Sequence, residues 1–421
     1  SAFTLDEIML VSETSNQDSL NWGIHGLLIN QIARQIGIPD LFSTSSGNPV
    51  VGAFCIMDVA GYSAGRGFIP PWPSAWVRAF MGWDSPVIAT PGLSGTYRIK
   101  ALGASQEQDT TIILVPINDH EYYLIENRQR NLWGGDSTFK YEKNDDDGVV
   151  SIAPFPYNVN IDSNVTSVES GSGTILGVKN YDVSLPASGV VVWHVDEQVI
   201  RDRLRYNYLN ADSSYRGIRL VEADGIGDLG VTFNNFFQAV FDYGGAEDVF
   251  PHQSIKKTST SVVDSMGPLT RPNTRANDGG HSYLKLRIAP TSATQPVEKT
   301  PIRDYYVSNY RDTFFTVDVK WDFVVPGWPK RMVPGDTLLE PVLADLHAAS
   351  PGKELVVAST SGKLYVWPSG GNALSFGSAN ATIPSIVTNH LDTTGMTFPS
   401  EVVRWIPMPG RPTAMPTVVG S

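Results

Sequence analysis

Metal ligation is the chemistry this sequence comes nearest to spelling out, and carboxylates spell it more clearly than histidines. Seven histidines occur in the 421 residues, His25, His120, His194, His252, His281, His347 and His390, and no two stand four apart. A helix-borne zinc site needs two imidazoles one turn apart, so zinc here would have to draw its ligands from distant loops. Glu222, Asp224 and Asp228 fall together in the glycine-rich run VEADGIGDLG, directly after an apolar stretch. Calcium takes several carboxylate and carbonyl oxygens, which makes these three calcium-ligand candidates, with solvated turn carboxylates as the alternative. The run Asn144, Asp145, Asp146, Asp147, Gly148 is also calcium-like. Its consecutive acids project in different directions, so an exposed turn is the simpler expectation.

In WHVDE, alternation along a strand puts His194 and Asp196 on one face and Glu197 on the other, a poor geometry for a single metal. A hydrogen-bonded strand end is the expected role. The sequence has no glycine-rich phosphate loop, no Ser-His-Asp order and no CxxC; DGIGDLG lacks the following helix that a dinucleotide fingerprint requires.

The elements that must position these residues are mostly strands. Between about Thr96 and Trp321 the segments TIILVPI, EYYLIENR, GVVVWHV, GIRLVEA, YLKLRIA and FFTVDVKW alternate with turn clusters. That density predicts a β-sandwich elaborated by long loops; the stretch from Asn235 to Asn277 has no readable period. The clearest helix spans Asn21 to Ile36, where Ile24, Leu27, Leu28, Ile32 and Ile36 recur at three- and four-residue spacing and predict one buried face. Gly37 and Pro39 stop it. A shorter helix is expected around Ser74 to Met81. After Pro326, PVLADLHAASPGKELVVASTSGKLYVWPSGG reads as strand, acidic loop, strand, Gly turn, strand, the pattern of one β-propeller blade. A single blade cannot bury its own faces, so the chain is expected to be a piece of a larger protein or to be completed by another chain.

Several of these motifs occur in a family order. LLINQIARQIGIPDLF, GAFCIMDVAGY and PPWPSAWVRAFMGW resemble, in turn, the active-site helix, the methionine turn and the following segment of immune inhibitor A-like, metzincin-type metallopeptidases. YYLIENRQR, GVVVWHVDE and GIRLVEADGIGDLG resemble the β domain that follows in those proteins, so the resemblance covers roughly residues 20 to 325. It implies a helix carrying HExxH, with two zinc-binding histidines and a glutamate general base. Aligned on Gly37, Pro39, Asp40 and Leu41, those three positions hold Asn30, Gln31 and Arg34. Asn is a poor zinc ligand, Gln cannot take up a proton and Arg repels a cation. Asp40 remains at the third ligand position and Met57 at the methionine under the metal, where core packing is the plainer role. His25, five residues before Asn30, points away from the Asn30/Arg34 face. Arg34 inside a former cleft needs a carboxylate, Asp40 or Asp58. Trp76 and Trp83 are expected to be core residues pinning the helix to the β domain. In the blade, ADLHAASPGKE resembles the calcium loop of FG-GAP-type repeats, keeping Asp345 and Glu354 while His347 and Ala349 replace two acids.

Composition bounds the rest. A net charge of −12 with no Lys/Arg cluster argues against a nucleic-acid partner. No apolar run reaches the roughly 18 residues that span a bilayer, and no signal peptide is evident at the N-terminus. The single Cys55 excludes an internal disulfide. Asn164 and Asn380 begin Asn-x-Thr triplets that read as chance occurrences. The expectation is a mainly β chain with a small α/β zincin-like remnant over residues 1–92, a β-sandwich over 93–325 and the start of a propeller over 326–421. Its expected role is non-catalytic and extracellular or at the cell surface, binding a protein or surface partner or self-assembling. No zinc is expected, and calcium remains open. The alternative is a secreted zinc peptidase with rearranged ligands.

Overall fold

In a computed structural model of the chain the described residues are 24–59, 67, 69–133, 141–143, 150–152, 165–168, 175–235, 238–302, 305–322, 337–344, 353–360, 363–367 and 405–407. The fold is mainly β, and it divides into two compact units, Ser1–Trp321 and Asp322–Ser421.

The first unit is built on two sheets. One orders the strands Val87–Ile88, Ile112–Pro116, Glu121–Arg128, Gly189–Asp196 and Ile218–Leu220, antiparallel except for the first pair. The other joins Ser265–Met266, Leu284–Pro290, Phe314–Trp321 and Gly95–Lys100. All six strands expected from the apolar runs are present, because β-branched and aromatic residues at period two suit a pleated surface. Within the first sheet that period sorts side chains onto two cores. Ile113, Val115, Tyr123, Ile125, Val190 and Val192 pack with Ile99, Leu286, Ile288, Phe315 and Val317 of the second sheet. Ile112, Leu124, Val191, Trp193 and Val195 face the other way, onto the segment that carries the helices. The near-continuous apolar run GVVVWHV reflects this burial on both faces.

That helical segment shares its core with the sheet: Ala33, Ile38, Leu41, Phe54, Met57, Trp76 and Val77 lie in the same cluster as Leu124 and Trp193. Helix α1 is His25–Gln35. It ends as expected, with Gly37 at φ +95° and the N–H groups of Gly37 and Ile38 donating to the carbonyls of Arg34 and Ala33. The buried face is not the expected one. Gly26, Asn30 and Ala33 are buried, whereas Ile32 and Ile36 are about half exposed, at 49% and 52%. Small residues let the helix lie close to its neighbours, and the carboxamide of Asn30 finds a partner there.

Helix α2 is Ala75–Phe80, N-capped by Ser74, whose hydroxyl accepts from Val77 N–H. Trp76 is buried and stacks on Phe80 at 4.7 Å. Trp83 corrects the expectation that both tryptophans are core. Gly82 turns the chain at φ +69°, and the Trp83 side chain is 54% exposed.

The run 235–277 contains order that the sequence did not announce. His252–Ile255 and Thr260–Val263 join Glu298–Ile302 and Tyr305–Asn309 in a further four-stranded sheet. In the second unit, Leu338–Ala344, Glu354–Ser359, Lys363–Trp367 and Trp405–Pro407 form a four-stranded antiparallel sheet. Asp345, His347, Asn164, Asn380 and the Asn144–Gly148 run lie outside the described residues.

Candidate functional site

On α1, each residue at a would-be zinc position can be followed to its partners. Asn30, 6% exposed, donates from Nδ2 to the Ile56 carbonyl at 2.8 Å, with Met57 Sδ at 4.0 Å. Gln31 is half-buried. Arg34 reaches Asp40: both Nε and Nη2 lie 2.7 Å from Oδ1. The second oxygen of Asp40 accepts from Asn207 Nδ2 at 2.8 Å, and Asp40 N–H donates back to Asn207 Oδ1 at 2.9 Å. Of the two carboxylates that Arg34 was expected to choose between, Asp40 is the one used. Asp58 instead accepts the backbone N–H groups of Val50, Val51 and Gly52 on Oδ2 and of Val59 on Oδ1. Burial nonetheless pushes its carboxyl above the ordinary range. Met57 is fully buried in the core.

These donors do not fit zinc. Asp40 is engaged on both oxygens, one of them by a permanently charged guanidinium that repels a cation. Beside α1, His25, Ile29, Ile56, Pro71, Trp72 and Tyr181 line part of an apolar cavity of about 370 Å³.

The residues after α1 are tied to the sheet by buried charge. Glu126 and Arg128, on the face of their strand that looks towards α2, are fully buried. Glu126 accepts from Arg78 Nη1 at 2.8 Å, from Trp193 Nε1 at 2.8 Å and from Ala75 N–H at 3.1 Å. Arg128 grips Asp182 with Nε and Nη2, each at 2.6 Å, and donates to the Trp72 carbonyl at 3.1 Å. The charged letters inside YYLIENRQR are thus a structural clamp.

His194 sits in a second buried network. Its Nε2 lies 2.8 Å from Glu121 Oε2, and Arg219 Nη2 donates to Nδ1 at 2.7 Å. With Nδ1 accepting, Nε2 carries the proton. Burial holds the imidazole below its ordinary pKa despite the Glu121 bond that opposes it. Burial pushes Glu121 up, but hydrogen bonds from His194, Asn118 and Asn277 N–H leave it lowered on balance. Asp196 caps helix α3, Glu197–Arg203, by accepting from Gln198 and Val199 N–H, and takes Asn277 Nδ2 on its other oxygen. His120, Glu121 and Asp196 come close enough together to hold a metal. The two carboxylates already have partners, so the strand-end role of WHVDE stands on hydrogen bonds.

The acidic loop differs in that one oxygen each of Asp224 and Asp248 is buried without a hydrogen-bond partner. Glu222 and Asp224 converge with Asp248, one oxygen of each lying within 4.8 Å of the others. Asp228 contributes its backbone, donating N–H to Glu222 Oε2 at 2.8 Å, and is not one of the three. Asp248 ends the short turn Ala246–Asp248, in the stretch without sequence periodicity, which is why spacing could not find it. Burial, followed by repulsion from neighbouring acids, raises Asp224, Asp242, Glu247 and Asp248 above their ordinary range. For Glu222 burial leads and the pKa is raised to about 7. Gly225, at φ +70°, lets the loop approach the Arg271–Pro272 backbone, which a Cβ would meet at 2.8 Å. In the second unit Glu354 is buried at the start of its strand.

No protein-family model, no curated protein and no solved structure matches this chain. Among the described residues no helix is long and apolar enough to cross a membrane.

Proposed function

We propose that this chain is a non-catalytic, extracellular relative of the immune inhibitor A-like metallopeptidases, working in binding or structural assembly. The observation that carries the reading is the Arg34–Asp40 ion pair. It joins two positions that in the resembled motif bind one zinc ion, and it neutralises the last carboxylate of that set. Asn30 supports it by spending its amide on the Ile56 carbonyl, which turns a ligand position into a packing contact. General-base chemistry on a metal-bound water needs an ionisable group at the glutamate position, and Gln31 offers none. The four-stranded sheet of the second unit has the strand order of a propeller blade, and further blades would give the protein an extended surface for a protein partner.

Incubation of the purified chain with unfolded casein, with and without added zinc, tests this reading. No cleavage in either condition is the expected result. Cleavage that a chelator abolishes would establish the opposite, a peptidase whose ligands come from elsewhere in the fold.

A further inference from the structure

We infer that Glu222, Asp224 and Asp248 form a binding site for a hard divalent cation, calcium by preference, that fastens two loops of the first unit together. The inference goes beyond the non-catalytic reading and does not depend on it.

Geometry comes first. Calcium–oxygen distances of about 2.3–2.6 Å place two ligands on opposite sides of the ion roughly 4.8 Å apart. The three carboxylates each offer an oxygen inside that separation. Magnesium needs about 2.0–2.1 Å and a strict octahedron, which fits three carboxylates spread over up to 4.8 Å less well.

Unmet bonding capacity comes second, and it points at the same place. Asp248 is only 3% exposed; its Oδ2 accepts from Gly245 N–H, and its Oδ1 is buried with no hydrogen-bond partner. Asp224 repeats the arrangement, with Oδ1 accepting from Ile226 N–H and Oδ2 buried and unpartnered. Oε2 of the adjacent Glu247 is likewise unpartnered. Burying a carboxylate oxygen without a partner is costly, and three such oxygens from neighbouring acids compound the cost by repulsion. Among the described residues none of these acids makes an ion pair within 4 Å; Arg216 acts on Glu222 only electrostatically. A cation held by Glu222, Asp224 and Asp248 satisfies the unpartnered oxygens of Asp224 and Asp248 together.

The site would act as a fastener. Glu222 and Asp224 lie on the loop that leaves the Ile218–Leu220 strand, and Asp248 on the turn after Asp242. The two loops meet where Gly230 N–H donates to the Asp242 carbonyl at 2.9 Å. Both also hold the segment under α1, through Asn48 Nδ2 to the Gly230 carbonyl and Ala53 N–H to the Tyr243 carbonyl.

The test uses the full chain, stripped with a chelator and dialysed, in thermal melts with millimolar calcium chloride or magnesium chloride. Calcium should raise the melting temperature of the wild type by about 3 °C or more, and magnesium by less. Asp248→Asn should melt above the stripped wild type, because a repelling charge is gone, and should lose the calcium response. Glu222→Gln, read in parallel should Asp248→Asn fail to fold, should lose it too. Glu354→Gln, in the second unit, should keep it. No calcium shift in the wild type, or a shift of equal size in Asp248→Asn and Glu222→Gln, would overturn the inference.

Discussion

At the scale of single residues, what a charged or polar side chain does here is decided by whether its partners are complete. Glu126 accepts from Arg78, Trp193, Ala75 N–H and Arg128, and Arg128 is bound to Asp182 through two nitrogens, all out of water. Removing one member strands the others, and breaking a buried pair in this way costs about 3–5 kcal/mol. Chemical denaturation of Arg128→Ala should show a loss of that size, whereas Arg287→Ala, whose pairing with Asp264 is largely exposed, should change stability by less than about 1 kcal/mol. His194 gives a pH signature. Its folded-state pKa is depressed by burial, so the folded protein resists the proton that the unfolded chain accepts below about pH 6.5. Its contribution is therefore fully present above that pH and fades as the pH falls. The stability difference between wild type and His194→Gln should shrink between pH 7.5 and pH 5.5; a difference that is flat or grows on acidification would refute the neutral, buried assignment.

At the scale of elements, backbone approach matters as much as side chains. Gly230, at φ +79°, lies against Pro49 so closely that a Cβ would collide with the Pro49 carbonyl, while Gly47, at φ +76°, has open space around its Cβ position. Gly47→Ala should thus cost only the strain of a left-handed residue, about 1–2 kcal/mol. Gly230→Ala should cost clearly more, because the acidic loop must also move off the segment beneath α1. Paired denaturation curves of the two variants separate strain from collision, and equal losses would mean that the loops are not in close contact.

What could be read from the sequence follows the same division. The six strands were legible because their apolar residues alternate or run unbroken, and the stop of α1 because Gly37 supplies a left-handed cap. The buried face of α1 was misread: the Ile and Leu stripe looked like the core side, but small Gly26 and Ala33 and the hydrogen-bonded Asn30 allow closer packing. Glu222 and Asp224 stood out by their glycines. Asp248 did not, since its meeting with them is a tertiary contact made by an aperiodic segment. The clamp of Glu126 and Arg128 was equally hidden, because charged letters in a strand look exposed until a helix is laid over them.

At the scale of the whole molecule, the two-faced sheet is the organising feature. One face packs on a second sheet, and the other carries the α1 and α2 segment, whose Arg78 pairs with Glu126 of the sheet and whose Asp40 bonds Arg34 and Asn207. The proposed non-catalytic role rests on the Arg34–Asp40 pair closing α1 to a catalytic zinc. Native mass spectrometry of the purified chain titrated with zinc tests this most directly, with Asp40→Asn measured alongside. No stoichiometric zinc adduct at equimolar metal, and no difference between the two proteins, is the expected result. One tightly held zinc per wild-type chain, lost in Asp40→Asn, would contradict it.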